Sequence, residues 1–174
     1  MAEPTDITFK ICNVRVNCRA VAIILNEGNI LFKKRETDPV WALPRGKIRV
    51  GEKSEDTIKR KLNEEIGEPV EVSNLYDVEE NFFEYNGEQF HEYMFLYLAK
   101  LKEYSNLKKE KFFDGVEKKK HLKFAWFNKE ELDIYNVVPI EIKDALKEII
   151  DANEQNVVKS KIRRWFFWKQ KILI

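Results

Sequence analysis

The apolar and polar positions change period several times along the chain, and each change predicts an element. Residues 19–25 (RAVAIIL) form a short apolar run, residues 26–29 (NEGN) are turn chemistry, and residues 30–34 resume an apolar–polar alternation. That spacing predicts a β-hairpin with a buried first strand. Pro39 and Pro44 bracket an extended segment holding Trp41 and Leu43, and Gly46 and Gly51 punctuate a loop. Ser54 then reads as an N-cap, with Glu55 and Asp56 in the first turn, where the helix dipole favours them. Ile58, Leu62 and Ile66 recur every four residues as an apolar stripe, and Gly67 and Pro69 end the helix.

The pattern after that helix is rich in strands. Residues 70–76 form one candidate strand, and residues 78–85 and 88–98 flank Asn86-Gly87, the strongest short hairpin signal. A two-residue loop there sets Phe83 opposite Phe90 and Asn81 opposite Glu92. Residues 103–120 are lysine-rich and read as an exposed excursion that holds Phe112, Phe113 and Gly115. Residues 122–127 are a further strand, and residues 130–132 begin a short helix. Pro139 is placed in the first turn of a final helix that carries Ile142, Leu146 and Ile149 on one face. Strands mixed with two main helices predict an α/β domain, with helices covering a mixed sheet.

Composition narrows the class. The 174 residues suit one domain, read as residues 1–153 with a basic-aromatic tail at 154–174. Hydrophobic residues at 44% and charged residues at 35% are an ordinary soluble balance, and the net charge of +1 argues against a strongly electrostatic partner for the whole molecule. Cys12 and Cys18 are too few for a disulfide framework or a four-ligand zinc site and read as reduced thiols. The opening MAEPTDITFK has acidic residues and no apolar core, so it does not read as a signal peptide. No run approaches the roughly 18 apolar residues of a membrane span. The expectation is a soluble, cytoplasmic protein.

Candidate chemistry is concentrated in residues 46–67 (GKIRVGEKSEDTIKRKLNEEIG). Positions 61, 64 and 65 are neighbours on a helix, so Glu64 and Glu65 project adjacent carboxylates. Such hard oxygen ligands suit Mg²⁺ or Mn²⁺. Arg60, eight residues after Glu52, can tie the loop to the helix through a charge-assisted hydrogen bond. Gly46 lets the backbone approach a metal or a phosphate closely. A metal held there polarises a phosphoryl group and generates hydroxide near neutral pH.

This constellation resembles the Nudix box, Gly-x5-Glu-x7-Arg-Glu-apolar-x-Glu-Glu-x-Gly-apolar. Gly46, Glu52, Arg60, Leu62, Glu64, Glu65 and Gly67 match at the right spacing. The resemblance extends over roughly residues 18–150, from the opening hairpin through WALPRGK to HLKFAWFNKEEL and Pro139. It implies an α/β/α sandwich around a mixed sheet. It also implies Mg²⁺- or Mn²⁺-dependent hydrolysis of nucleoside diphosphates linked to another group. Three positions depart from the pattern. Arg45 replaces a glycine, Glu68 replaces an apolar residue, and Lys61 replaces a glutamate that in the family is a metal ligand and a candidate base. Lys61 either pairs with both carboxylates and fills the site, or swings outward on its long stem. Either way like-charge repulsion is expected to weaken metal binding.

The site expected from this resemblance is Glu64, Arg60 and Glu52 as catalytic residues, with Glu64, Glu65 and the Gly46 carbonyl as metal ligands. Arg45 beside the loop, Arg35 on the opening hairpin and Glu92 are the substrate-binding candidates. Glu92 ends an otherwise apolar face and reads either as a solvated strand end or as a further ligand or base. Lys33 also reads as a phosphate contact or a solvated position. His91 reads as structural and His121 as a surface residue. The tail, with Trp165, Phe166, Phe167 and Trp168 among basic residues, reads as packed on the domain or on a second subunit in a homodimer. Nucleic-acid or membrane recruitment through that tail is the weaker reading. The leading function is a pyrophosphohydrolase acting on a nucleotide-derived small molecule. Its alternative is an impaired domain that binds a nucleotide as sensor or scaffold.

Overall fold

The computed structural model describes residues 5–154. The basic-aromatic tail lies outside the described residues. In chain order the elements are β1 (Thr8–Ile11), β2 (Val14–Asn26), β3 (Asn29–Arg35), β4 (Trp41–Ala42), β5 (Arg45–Lys47) and α1 (Ser54–Ile66). They continue with β6 (Val70–Tyr85), β7 (Glu88–Leu101), β8 (Phe112–Asp114), β9 (Leu122–Phe127), α2 (Glu131–Ile134), β10 (Val137–Val138) and α3 (Lys143–Glu154).

β2 is the centre of the sheet. It pairs antiparallel with β1, β3 and β5, and parallel with β7 from Val14↔Gln89 to Ile24↔Ala99. The sheet is therefore mixed, and its apolar central strand is buried on both faces. Alternation sorts the residues. Val21 and Ile23 join Phe32, Met94 and Leu96 in a core completed by Leu146, Ile149 and Ile150 of α3. Ala20, Ala22 and Ile24 join Leu31, Ile58, Leu62 and Ile66 in a second core under α1. This is the expected α/β/α sandwich. Burying each large apolar side chain of α1 contributes about 1.5–3 kcal/mol.

The two hairpins follow their turn residues. Asn26 pairs Asn29 across Glu27 (φ 45°) and Gly28 (φ 73°). Tyr85 pairs Glu88 across Asn86 (φ 51°) and Gly87 (φ 75°). Positive φ at both central residues is what the right-handed twist of a hairpin favours. The register places Phe83 opposite Phe90 and Asn81 opposite Glu92, as the sequence predicts.

Other local expectations are corrected. Lys53, not Ser54, is the extended N-cap of α1, and the Ser54 hydroxyl instead lies 2.6 Å from the Tyr97 hydroxyl. Residues 70–76 and 78–85 form one strand, because register shifts near Leu75 absorb the break in alternation. Pro139 precedes a short 3₁₀ turn, and α3 starts only at Lys143. Residues 103–120 are not simply exposed. Phe113 on β8 stacks on Phe124 at 5.2 Å, and the Trp126 indole donates to the Leu107 carbonyl at 2.9 Å.

That excursion also anchors the end of α1. Gly67 closes the helix with φ 73°, its N–H bonding the Asn63 carbonyl. The carbonyl of Glu65, freed at the helix end, accepts from the Val116 N–H at 2.8 Å. A Cβ on Gly115 would stand 2.8 Å from that same carbonyl oxygen. Gly115→Ala is therefore expected to lose roughly 1–3 kcal/mol in urea denaturation. An unchanged midpoint would show that this loop does not seat α1.

Candidate functional site

The site is built on α1 and the strands at its C-terminal end. Arg60 grips Glu52 in a two-pronged pair, with Nε to Oε1 at 2.6 Å and Nη2 to Oε2 at 2.8 Å. The Thr57 hydroxyl at 2.7 Å and the Arg49 N–H at 3.1 Å also donate to Glu52 Oε2. Chiefly the Arg60 hydrogen bond, working against burial, holds the Glu52 carboxyl down to about 2. Arg60 also donates to the Lys47 carbonyl on β5 at 3.2 Å and reaches Glu64 at 3.5 Å. One guanidinium thus fixes the loop, β5 and the helix together.

Glu64 and Glu65 stand side by side one turn further on. Glu65 is 3% exposed, while the Glu64 side chain keeps 38% of its surface. Two ammonium groups hold them. Lys33 donates to Glu65 Oε2 at 2.5 Å and to the Arg45 carbonyl at 3.1 Å. Lys61 donates to Glu64 Oε2 at 2.7 Å and lies 3.9 Å from Glu65 Oε1. Burial pulls Lys33 down to about 8, against the attraction of Glu65. Partial burial opposes ionisation of Glu64, but the Lys61 hydrogen bond and charge, with Arg60, lower its pKa. Lys120, paired with Glu117 at 2.9 Å, is within electrostatic range of Glu65.

The direction of Lys61 answers the question raised by its position. Its side chain is 15% exposed, and its stem crosses Gly46, where a built Cβ would lie 2.2 Å from Lys61 Cγ. Lys61 points into the site. Glu64, Glu65 and the Gly46 carbonyl are a suitable donor set for a hard divalent cation. The space beside them is taken by the lysine. No group of three or more His, Cys, Asp or Glu side chains able to hold a metal exists among the described residues. A divalent ion about 4 Å from an ammonium is repelled by ~8 kcal/mol at an effective dielectric near 20, twice the value for unit charges. As arranged, these residues do not fit the ion.

A second polar centre lies on the opposite face of the sheet from α1. Glu92 is fully buried, so it is not a solvated strand end. Arg19 Nε donates to its Oε1 in a short contact, and Asn17 Nδ2 donates to the same oxygen at 3.1 Å. Glu92 Oε2 has no hydrogen bond and meets Arg45 Nη1 at 3.6 Å. Burial and the neighbouring Arg19 charge lower the Arg45 pKa, against the pull of Glu92. Arg45 therefore turns its guanidinium to Glu92 and its carbonyl to Lys33, linking the two centres. Arg35 stands exposed at the end of β3. His91 packs between Phe82 and Tyr93, and His121 is exposed.

Sequence reasoning left out Asn17 and Arg19. Their signal was two polar residues on the face of β2 that also carries Val21 and Ile23.

A family model of the NUDIX domain matches residues 16–151. The chain belongs to the Nudix family. Solved Nudix structures share its fold. A hydrolase of the family from Clostridium perfringens is 17% identical with a TM-score of 0.56, covering 78% of this chain and 96% of that one. A Nudix hydrolase from Nitrosomonas europaea is 23% identical with a TM-score of 0.54, covering 80% and 72%. A MutT Nudix hydrolase from Burkholderia pseudomallei is 28% identical with a TM-score of 0.50, covering 66% and 84%. No curated protein is similar enough to count as a match.

The Glu52–Arg60 clamp generates a pH prediction. A carboxyl held at about 2 when folded, against 4.5 as its ordinary value, adds stability that is complete above the higher value. That stability is lost as pH falls through the lower one. Glu52→Gln is expected to cost roughly 2–4 kcal/mol at pH 7 by urea denaturation, with the gap to wild type closing between pH 4.5 and 2. A gap independent of pH would contradict the clamp.

Proposed function

We propose that this Nudix chain hydrolyses a phosphoanhydride bond in a nucleoside di- or triphosphate derivative, in the cytoplasm, at low intrinsic rate. The observation that carries the reading is the Glu52–Arg60 clamp, which presents Glu64 and Glu65 together beside Gly46. Nucleotide as substrate class rests on the family. A divalent metal held by Glu64, Glu65 and the Gly46 carbonyl would polarise the phosphoryl group and activate water, but with Lys61 turned inward no step is routed through one here.

The chain's own residues carry the step. Water attacks phosphorus, a new P–O bond forms, and the bridging P–O bond breaks with its electron pair leaving on the departing phosphate. Glu64, the more exposed of the paired carboxylates, accepts the proton of the water. Arg60 positions Glu64 through its contact and through the clamp. Lys33, held by the Arg45 carbonyl, neutralises charge on the phosphoryl oxygens, and Arg35, two residues on along β3, extends the phosphate-binding face. Glu92 holds Arg45 in place. The low rate follows from Lys61, which ties up Glu64 at 2.7 Å and stands where the box carries a glutamate.

That same contact favours a second reading, a nucleotide-binding domain with hydrolysis lost. Among the described residues no helix is long and apolar enough to cross a membrane.

A panel of nucleotide derivatives with Mg²⁺ or Mn²⁺ tests the proposal. Slow wild-type cleavage is expected, falling about tenfold or more in Glu65→Gln and rising about tenfold or more in Lys61→Glu. Lys33 is charged below its pKa of about 8, so wild-type KM is expected to rise as pH rises through that value. Cleavage by Lys61→Glu alone would replace the hydrolase reading with the binding one.

A further inference from the structure

We propose that this face binds the diphosphate of its ligand without a divalent metal ion, the Lys61 ammonium serving as the resident cation. The inference rests on reading the face as the phosphate site of a nucleotide derivative.

Three observations lead to it. The first is occupancy. The Lys61 stem fills the space left by the missing Cβ of Gly46, with Cγ and Cδ at 2.2 and 2.9 Å from where that Cβ would stand. Its head lies between the carboxylates at 2.7 and 3.9 Å. The second is charge. With Arg60 matched by Glu52 and Lys120 by Glu117, Lys61 and Lys33 balance Glu64 and Glu65 one for one. A glutamate at position 61 would leave three carboxylates against Lys33, a deficit of two positive charges that a divalent ion makes good. Lysine there removes the deficit.

The third is donor capacity. An ammonium carries three donors. Lys61 commits one to Glu64, and Lys33 commits two, to Glu65 and the Arg45 carbonyl. Each keeps at least one N–H for a phosphate oxygen. Lys120 is the next cation around the same carboxylates. A diphosphate thus meets fixed ammonium donors where it would otherwise meet a metal ion.

The test is calorimetric titration with inorganic pyrophosphate and with ADP, in EDTA and in excess Mg²⁺. Wild type is expected to bind both probes with affinities that agree within about twofold in the two buffers. Lys61→Met keeps a long stem without the charge and is expected to lose about tenfold or more in EDTA. Lys61→Glu is expected to bind only with Mg²⁺. It is also expected to take up Mn²⁺ at least about tenfold more tightly than wild type by electron paramagnetic resonance.

Thermal melts check that each variant is folded, and the Lys61→Met arm decides if Lys61→Glu is not. Wild-type binding that requires Mg²⁺, or wild-type affinity of Lys61→Met in EDTA, overturns the proposal and leaves the hydrolase reading standing. Metal-free binding with no cleavage of any substrate supports the proposal and removes the hydrolase reading. No diphosphate binding in either buffer overturns both.

Discussion

Two adjacent carboxylates on one helical turn, one of them almost wholly buried, must be neutralised for this fold to hold its shape. An ionised carboxylate out of contact with water costs several kcal/mol unless it is paired. Here the pairing extends well beyond the two residues. Charges alternate in sign from Glu52 through Arg60, Glu64, Lys61 and Glu65 to Lys33; Lys33 then donates to the Arg45 backbone carbonyl, and the Arg45 guanidinium faces Glu92. Each member is held by the next. The ladder joins α1, β3, β5 and β7, and so ties the helix on one face of the sheet to the buried glutamate on the other.

The sheet makes that ladder stiff. β2 is pinned by antiparallel partners and by its long parallel pairing with β7, and both faces are covered by helices. Arg45 belongs to β5, Lys33 to β3 and Glu92 to β7, so their spacing is set by strand pairing and not by loop conformation. Gly115 and Val116 seat the C-terminal end of α1, the end that carries Glu64 and Glu65, through the Glu65 carbonyl. A site held on paired strands and a docked helix is preorganised, which is what charge stabilisation of a phosphoryl group requires. In this chain the same stiffness works for Lys61, because the stem is seated on Gly46 and the head has two acceptors.

Much of this was legible in the sequence because it is local. The hairpins follow from Asn-Glu-Gly-Asn and Asn-Gly turns, α1 from its four-residue apolar stripe, and the register of Asn81 and Glu92 from a two-residue loop. The Glu52–Arg60 pair is also local, at eight residues apart. What the sequence did not disclose is non-local. Lys33 meets Glu65 across 32 positions, and Asn17 meets Glu92 across 75, through a parallel pairing that no turn signal announces. Ser54 failed as a cap because Tyr97, on a distant strand, takes its hydroxyl. Lys61 was identifiable as the discordant residue, but helix spacing allowed either direction. The missing side chain at Gly46, opposite it in space, turns it inward.

The central claim is that Lys61, not a metal ion, balances the paired carboxylates. Anomalous X-ray diffraction at the manganese edge, on crystals soaked in excess Mn²⁺, addresses it most directly. The account predicts no manganese peak beside Glu64, Glu65 and the Gly46 carbonyl, with the Lys61 ammonium still between the two carboxylates. A manganese peak bound by those groups, with Lys61 displaced toward solvent, would contradict it.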